Sequence, residues 1–143
     1  MEAKIIDERL ICIDENREMQ NLEKYANYYF LLEIWMQNME KGVEVDTFFK
    51  RRGYGTIAIY GMASMGKHLQ SQLEDRVTIL YTIDKEIITY KNRKYAMKDS
   101  IQMLPRPDVI VITPVLEYLS IKEKILENTD VNIVSLEEVI LSL

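Results

Sequence analysis

The stretch Thr56-Ile-Ala-Ile-Tyr-Gly-Met-Ala-Ser-Met-Gly66 decides the fold that the sequence predicts. It begins as a short β-branched run, which predicts a buried strand, and Ser64 to Leu73 continue with the apolar spacing of a helix. The bend between them needs a glycine first for the sharp turn, a small residue in the middle so that backbone N–H groups can approach a pyrophosphate, and a glycine last so that the helix packs closely on the strand. Those positions hold Gly61, Ala63 and Gly66, and the methyl group of Ala63 crowds the space that a pyrophosphate would take. The stretch therefore predicts a strand, a tight turn and a helix whose N-terminal N–H groups face an anion.

Strand-like and helical runs alternate after this stretch, which is typical of βαβ units. Further strands are predicted at Val77–Ile83, around Lys94–Met97 as an edge strand, at Asp108–Thr113 and at Val131–Val134. With right-handed crossovers, the prediction is an α/β, Rossmann-like three-layer fold around a parallel sheet of about five strands in the order 3-2-1-4-5. We assign residues 55–143 to this nucleotide-binding domain and residues 1–54 to an N-terminal helical arm.

The arm is predicted to be mainly one long helix, from about Asn16 to Lys41. Its apolar residues form a wide face, in which one stripe holds Leu22, Tyr25, Tyr29, Leu32, Met36 and Met39, and Tyr28, Leu31 and Trp35 lie beside it. This width indicates three uses for the helix: packing within the chain, a homodimer interface, or a dock for a partner catalytic domain. Asp46 is expected to cap a short second helix, Thr47–Arg52, and the first dozen residues are expected to form a strand or a short helix.

Charge and cysteine content exclude several classes of function. The chain has 143 residues, and 18 basic against 23 acidic residues give a net charge of −5, without a basic block that could follow a nucleic-acid backbone. The single cysteine, Cys12, is interpreted as a small apolar filler, and one histidine and one cysteine cannot supply a metal site. Neither a signal peptide nor a membrane-spanning stretch is predicted. We therefore expect a cytoplasmic protein without membrane insertion, nucleic-acid partner or metal.

A ligand is expected where the loop Gly61 to Gly66 meets the end of the first strand. Asp84 ends the second predicted strand about 20 residues beyond the turn, the distance at which an acidic side chain usually accepts hydrogen bonds from a ribose diol. In the alternative interpretation, the glycines serve only packing and Asp84 only ends a strand. Replacing Gly61 or Asp84 is expected to abolish binding and to leave the melting of the fold largely intact.

Four pieces of the chain carry a family resemblance: Ile57-Ala-Ile-Tyr-Gly-Met-Ala-Ser-Met-Gly66, Tyr81-Thr-Ile-Asp84, Asp108-Val-Ile-Val-Ile-Thr-Pro114 and Asn132-Ile-Val-Ser-Leu-Glu-Glu138. Through them, residues Gly55–Val139 resemble the Rossmann-like modules of bacterial surface-polysaccharide and glycan machinery, which occur in nucleotide-sugar epimerase and dehydratase relatives, in sugar acetyltransferases and beside glycosyltransferases. The resemblance implies a phosphate surrounded by Gly61, Ala63, Ser64 and Gly66, a ribose or sugar facing Asp84, and an opposite wall of Thr113 and Pro114. The binding site for NAD(P) or a nucleotide sugar is thus expected to comprise Gly61, Met62, Ala63, Ser64, Met65, Gly66, Asp84, Thr113 and Pro114.

No catalytic residue is assigned from the sequence. His68 is expected to face solvent or to pack, and the pairs Tyr90 with Lys94 and Tyr118 with Lys122 match the Tyr-x-x-x-Lys spacing of short-chain dehydrogenases by coincidence. The favoured function is a nucleotide or nucleotide-sugar binding module of glycan metabolism without self-sufficient catalysis. One alternative is an NAD-dependent sugar-nucleotide epimerase or dehydratase relative, which would require a substrate domain. The other is a ligand-free structural or oligomerisation module.

Overall fold

The computed structural model describes the backbone of residues 8–143 and the side chains from residue 16 onward. Within that range the chain forms six α-helices and six strands. The helices are α1 (Glu8–Glu40), α2 (Asp46–Arg52), α3 (Ser64–Leu73), α4 (Met97–Ser100), α5 (Tyr118–Leu126) and α6 (Leu136–Leu141). The strands are β1 (Thr56–Tyr60), β2 (Thr78–Asp84), β3 (Ile87–Tyr90), β4 (Arg93–Ala96), β5 (Val109–Ile112) and β6 (Asn132–Ser135). One turn of 3₁₀ helix, Val115–Glu117, leads into α5.

The six strands form one mixed sheet in the order β4-β3-β2-β1-β5-β6. The four strands β2, β1, β5 and β6 run parallel, whereas β3 and β4 are antiparallel to their neighbours. The five predicted strands keep their predicted relative order, but the sheet is mixed and has six strands, so the prediction of a parallel sheet of about five strands is not confirmed. The predicted edge strand near Lys94 is observed as β4, but the hairpin partner β3 inserts between it and β2. The protein is thus an α/β protein whose parallel strands are extended by an antiparallel hairpin.

The sheet is covered by helices on both faces because its central strands are apolar on both sides. Along β1, Ile57 and Ile59 belong to one core, and Ala58 and Tyr60 to the other. The first core is completed by buried side chains of α1, α2, α3 and α6, and the second by those of α4 and α5. The three layers predicted from the sequence are therefore present.

The N-terminal segment is dominated by α1, which at 33 residues is about 50 Å long. Among its side chains from residue 16 onward, Leu31 and Trp35 in the C-terminal part are buried in the first core, each 3% exposed. The helix ends at Glu40, close to the predicted Lys41, but its described backbone already starts at Glu8, ahead of the predicted Asn16. The predicted strand or short helix before Glu8 and the packing of the Cys12 side chain lie outside the described residues.

Asp46 has a different role from the predicted helix cap. It is the first residue of α2, and no side-chain hydrogen bond caps this helix within the described residues. The carboxylate is instead buried, 2.7 Å from the Lys50 ammonium and 3.2 Å from the Arg76 guanidinium, and Arg76 also contacts Glu44. A carboxylate this deep needs cations beside it, so Asp46 ties α2 to the turn between α3 and β2.

Also at the amino ends of the parallel strands, Asp108 joins the starts of β1 and β5. Its Oδ2 accepts hydrogen bonds from the backbone N–H of Gly55 at 2.8 Å and of Thr56 at 3.1 Å. Its own N–H donates to the Thr56 hydroxyl at 3.0 Å. The Thr56 and Gly55 N–H groups favour the ionised carboxylate and therefore hold the pKa of Asp108 below its usual range.

We expect Asp108→Asn to lower the Tm at pH 7 and to lose that effect in acid. The folded-state pKa lies below the unfolded value of about 3.9, so the stabilisation is present above that pH and disappears as the pH falls through the folded-state pKa. Melting curves between pH 7 and pH 2.5 test this, with the exposed Asp75→Asn as control. A variant with a constant Tm deficit down to the lowest pH would contradict the role of the ionised carboxylate.

Candidate functional site

The loops at the carboxyl ends of the parallel strands enclose a cavity of about 390 Å³ together with α1. It is lined by Lys24, Tyr25, Tyr28, Leu32, Gly61, Met62, Ala63, Ser64, Met65, Asp84, Thr113 and Pro114. Every site residue predicted from the sequence lies in this lining except Gly66, which is buried behind it. The cavity lies where the chain order reverses between β1 and β5, the position at which open α/β sheets bind ligands.

A larger groove of about 740 Å³ follows the edge of β2. Strand β3 pairs only with the last residues of β2, Thr82 to Asp84, and the groove runs along the preceding residues and the end of α3. It lies at the ends of α3 and β1 opposite the predicted loop and contains no residue of it. We place the candidate site in the smaller cavity because a helix N-terminus, an acidic strand end and aromatic side chains meet there.

Gly61 bends the chain sharply after β1. Its φ angle of 93° is in the region that favours glycine, its N–H donates to the Ile83 carbonyl at 2.8 Å, and its carbonyl accepts from the Thr113 hydroxyl at 2.8 Å. A Cβ atom on Gly61 would lie 2.5 Å from Thr113 Oγ1 and 2.6 Å from Pro114 Cδ. The predicted need for glycine is confirmed, but the expectation that a Gly61 replacement spares the fold is wrong. The neighbouring loop leaves no room for a side chain.

Thr113 contributes to the site through its shape more than through its hydroxyl. The side chain is buried, and Oγ1 donates to both the Tyr60 and the Gly61 carbonyl groups, at 3.0 and 2.8 Å. The Thr113 N–H donates to the same Tyr60 carbonyl at 2.9 Å. Thr113 and Pro114 therefore fix the loop after β1, and both line the cavity.

The first turn of α3 presents backbone donors to the cavity. Ala63 occupies the N-cap position with an extended backbone, and within the described residues no side chain caps the helix. Lys67 N–H donates to Ala63 O at 3.0 Å, so the N–H groups of Ser64, Met65 and Gly66 precede the first N–H group that donates within the helix. Ala63 and Ser64 are exposed at this end. The arrangement offers an anion the positive end of the helix dipole.

Gly66 permits the close approach of α3 and the loop. It is buried, and a Cβ atom there would overlap the carbonyl oxygen of Gly61. The side chain of Met62 lies just beyond, with Sδ 3.4 Å from the same Cβ position. The sequence-based reason for this glycine, close packing of helix and strand, is confirmed, whereas direct contact between Gly66 and a ligand stays a prediction.

Charges at this edge of the sheet are unequally distributed. Asp84 lines the cavity at the end of β2, and Lys24 reaches it from α1. Burial raises the pKa of Tyr60, and the carboxylates of Glu86, Asp84 and Glu117 raise it further, against a lowering by Lys124. Burial and Glu117 also raise the pKa of Tyr28. Within the cavity lining, the features that favour a negatively charged group are Lys24 and the N-terminus of α3.

Four lining residues, Lys24, Tyr25, Tyr28 and Leu32, were missing from the sequence-based site. They follow one another at intervals of one, three and four residues on α1, so they share one side of that helix. The aromatic density of the helix was visible in the sequence. No local sequence pattern predicted that this side of α1 lies next to the carboxyl ends of the parallel strands.

The two pairs with Tyr-x-x-x-Lys spacing lie outside the cavity lining. Tyr118 donates from its hydroxyl to the Ile133 carbonyl at 3.4 Å, and the Lys122 ammonium lies 5.6 Å from the centre of the Tyr118 ring. Tyr90 ends β3 and Lys94 lies in β4, so this pair belongs to the hairpin and not to a helix. The structure therefore gives neither pair the position that proton transfer at the cavity would require.

His68 is exposed on α3, and it does not line the cavity either. Among the side chains from residue 16 onward, no group of three or more His, Cys, Asp or Glu residues is placed to hold a metal ion. Of the helices in the described range, none combines the length and the apolar content needed to cross a membrane.

Comparisons of the chain with models of protein families, with curated proteins and with solved structures found no match.

Proposed function

We propose that this chain is a cytoplasmic binding module for a nucleotide or a nucleotide sugar, held in the cavity between the loop after β1 and α1. The observation that carries the proposal is the meeting of three features in one cavity: the uncapped N-terminus of α3, the carboxylate of Asp84 and the tyrosines of α1. The cavity volume of about 390 Å³ falls in the lower part of the range of roughly 300–1,000 Å³ for small-molecule sites.

The phosphate would lie against the first turn of α3. The N–H groups of Ser64 and Met65 can donate to its oxygens, and Lys24 adds a positive charge from the opposite wall. The acidic groups near Tyr60 disfavour a phosphate elsewhere along this edge. Ala63, the N-cap residue of this turn, also lines the cavity. These features favour a ligand whose phosphate is held at one point.

The sugar and the base would take the other walls. Asp84 is exposed at the end of β2, where its carboxylate can accept hydrogen bonds from a pair of hydroxyl groups. Tyr25 and Tyr28 offer ring faces and Leu32 an apolar side chain, which suits a flat heterocycle. The four parallel strands support a Rossmann-like fold for the domain that holds this site. The proposed role in glycan metabolism rests on the family resemblance of residues Gly55–Val139.

An enzymatic role as an NAD-dependent epimerase or dehydratase relative is less well supported. Such a reaction needs a proton-transfer group beside the substrate. The candidate groups named from the sequence, His68 and the two tyrosine–lysine pairs, do not line the cavity. We propose that Lys24, Asp84 and the tyrosines of the lining serve binding, that the chain presents its ligand, and that any reaction on that ligand requires a partner catalytic domain.

We expect Asp84→Asn to weaken binding of the preferred ligand about 10- to 100-fold, the range for losing hydrogen bonds to a charged acceptor. The measurement is isothermal titration calorimetry against NAD(H), NADP(H), UDP-sugars and S-adenosylmethionine. Glu86→Gln is the matched control, since it removes an exposed carboxylate two residues away that does not line the cavity.

Three results would decide between the interpretations. Binding of a nucleotide sugar alone favours the module, and binding of NAD with hydride exchange favours the enzyme. Absence of binding by all four ligand classes would refute the proposal in favour of a structural module. Equal affinity of wild type and Asp84→Asn for a nucleotide would show that the nucleotide does not bind in this cavity as proposed.

A further inference from the structure

A second cavity adjoins the candidate site at the end of β2. It has a volume of about 540 Å³ and is lined by residues of α3, β2 and the hairpin of β3 and β4. Met62 and Asp84 line both cavities, so the cavities meet at these two residues. A ligand in the first cavity can therefore extend past Asp84 into the second.

The floor of the second cavity is the face of the hairpin that lies outside both cores. Ile83 and Ile88 belong to the second core, and alternate residues of a strand point to opposite faces, so Thr82 and Thr89 point away from that core. On their side, the described part of the first core contains no residue of β3 or β4. Thr82 pairs with Thr89, and Thr89 pairs with Lys94. Two hydroxyl groups and one ammonium group therefore lie side by side on three neighbouring strands.

An apolar row lies beside this polar row. Asp84 pairs with Ile87, and Ile87 pairs with Ala96, on the same face of the hairpin. Ile87 is 41% exposed, although it is a large apolar side chain. Gln70 of α3 adds an amide group to the lining. Hydroxyl, amide and carboxylate groups beside an apolar surface suit a sugar ring, because the ring has hydroxyl groups at its edge and C–H groups on its faces.

The two cavities differ in charge. In the second cavity, Lys85 and Lys94 stand against Asp84, so the charged side chains of the lining leave one net positive charge. In the first cavity, Lys24 and Asp84 cancel. A negatively charged substituent is therefore favoured in the second cavity, where the ammonium group of Lys94 lies next to the Thr89 hydroxyl.

The strand order β5-β1-β2-β3 sets the order of the parts of the site. Burial and the charge of Glu117, which follows β5, raise the pKa of Tyr28, so the tyrosine wall lies toward the β5 side. The first turn of α3 follows β1 and lies in the middle. Asp84 ends β2, and the hairpin continues beyond it. A nucleotide sugar has its parts in the same order, with the base at one end, the phosphates in the middle and the sugar at the other end.

We propose that the second cavity binds the sugar of a nucleotide sugar, and that this sugar carries a negatively charged substituent. The inference rests on the proposed function and adds the class of sugar to it. The base lies against Tyr28 and the phosphates against the first turn of α3. The sugar hydroxyls form hydrogen bonds with Asp84, Thr82 and Thr89. The charged substituent pairs with Lys94.

The test is isothermal titration calorimetry of the full chain with UDP, UDP-glucose and UDP-glucuronic acid, since the last two differ only by a carboxylate on the sugar. Wild type should bind UDP-glucuronic acid about 5- to 10-fold more tightly than UDP-glucose. Lys94→Gln should remove this preference and leave the affinity for UDP unchanged. Lys98→Gln is the matched control, because Lys98 is exposed on α4, which packs on the opposite face of the sheet, and does not line the cavity.

Thr89→Val is the second variant, since valine has nearly the same shape, favours strands and lacks the hydroxyl group. It should weaken binding of both UDP-sugars about 3- to 10-fold and leave UDP unchanged.

Three results overturn the inference and leave the proposed function intact, because UDP still binds in each of them. They are equal wild-type affinities for UDP-glucose and UDP-glucuronic acid, wild-type affinities in Thr89→Val, and a Lys94→Gln variant that weakens UDP as much as UDP-glucuronic acid. The last result would place the pyrophosphate, and not the sugar, beside Lys94. Failure of all three compounds to bind would instead overturn the proposed function together with this inference.

Discussion

Replacing Gly66 by alanine is expected to lower the free energy of unfolding by about 3 kcal/mol or more, and the Tm by about 10 °C. A Cβ atom at this position would overlap the Gly61 carbonyl oxygen, and the carbonyl carbon would lie only 2.9 Å away. Both are backbone atoms. Gly61 is held by hydrogen bonds to Ile83 on one side and Thr113 on the other, so the loop cannot yield without breaking its contacts to both neighbouring strands.

The matched control is Gly55→Ala. The nearest atom to a Cβ at Gly55 is Asp108 Oδ2 at 3.9 Å, which is an ordinary contact, and the backbone there is outside the left-handed region. The same chemical change should therefore leave stability within about 0.5 kcal/mol of wild type. Thermal and urea unfolding followed by circular dichroism measure both variants. If Gly66→Ala has the same Tm as wild type, α3 does not approach the loop as closely as described, and its N-terminus does not lie at the cavity.

The antiparallel hairpin is the part of the fold that sequence reasoning missed, and its turns explain why. Strands β2, β3 and β4 are joined by the two-residue turns Lys85-Glu86 and Lys91-Asn92, all four residues with positive φ. Turns of this type are usually signalled by Asn-Gly or Asp-Gly, because glycine adopts positive φ without strain. Because neither turn contains glycine, the sequence predicts a loop and not a strand for the four residues of β3. The parallel strands were predicted because each is a continuous apolar run whose burial depends little on its neighbours.

The candidate site divides in the same way between local and distant contributions. The loop from Gly61 to Ser64 is set by its own glycines and by the strand and helix that flank it, so its position was readable from the sequence. The wall formed by Tyr25 and Tyr28 depends on which apolar side of α1 packs on the sheet. Two adjoining sides have similar composition, and only the packing of Leu31 and Trp35 in the assembled core decides between them.

A second large effect is expected for Phe49→Ala in α2. Phe49 is fully buried, its ring meets the Phe48 ring edge-on at 5.2 Å between centroids, and both belong to the core that includes Ile57 of β1. Truncation of a buried phenylalanine leaves a cavity and costs about 3 to 5 kcal/mol. We expect the Tm to fall by about 10 to 15 °C, measured by calorimetry.

This substitution also tests whether residues 1–54 behave as a separate arm. If the core is shared between α2 and the sheet, as the packing of Phe49 requires, the variant unfolds in a single transition shifted as a whole. A separate arm would instead give a lowered first transition and an unchanged second one. Phe30→Ala is the control, since it removes an exposed aromatic ring from the same segment and should leave the Tm within about 2 °C of wild type. A single shifted transition would make the helical segment part of the sheet's folding unit, and the wall of the candidate cavity that α1 provides would then be as stable as the loop it faces.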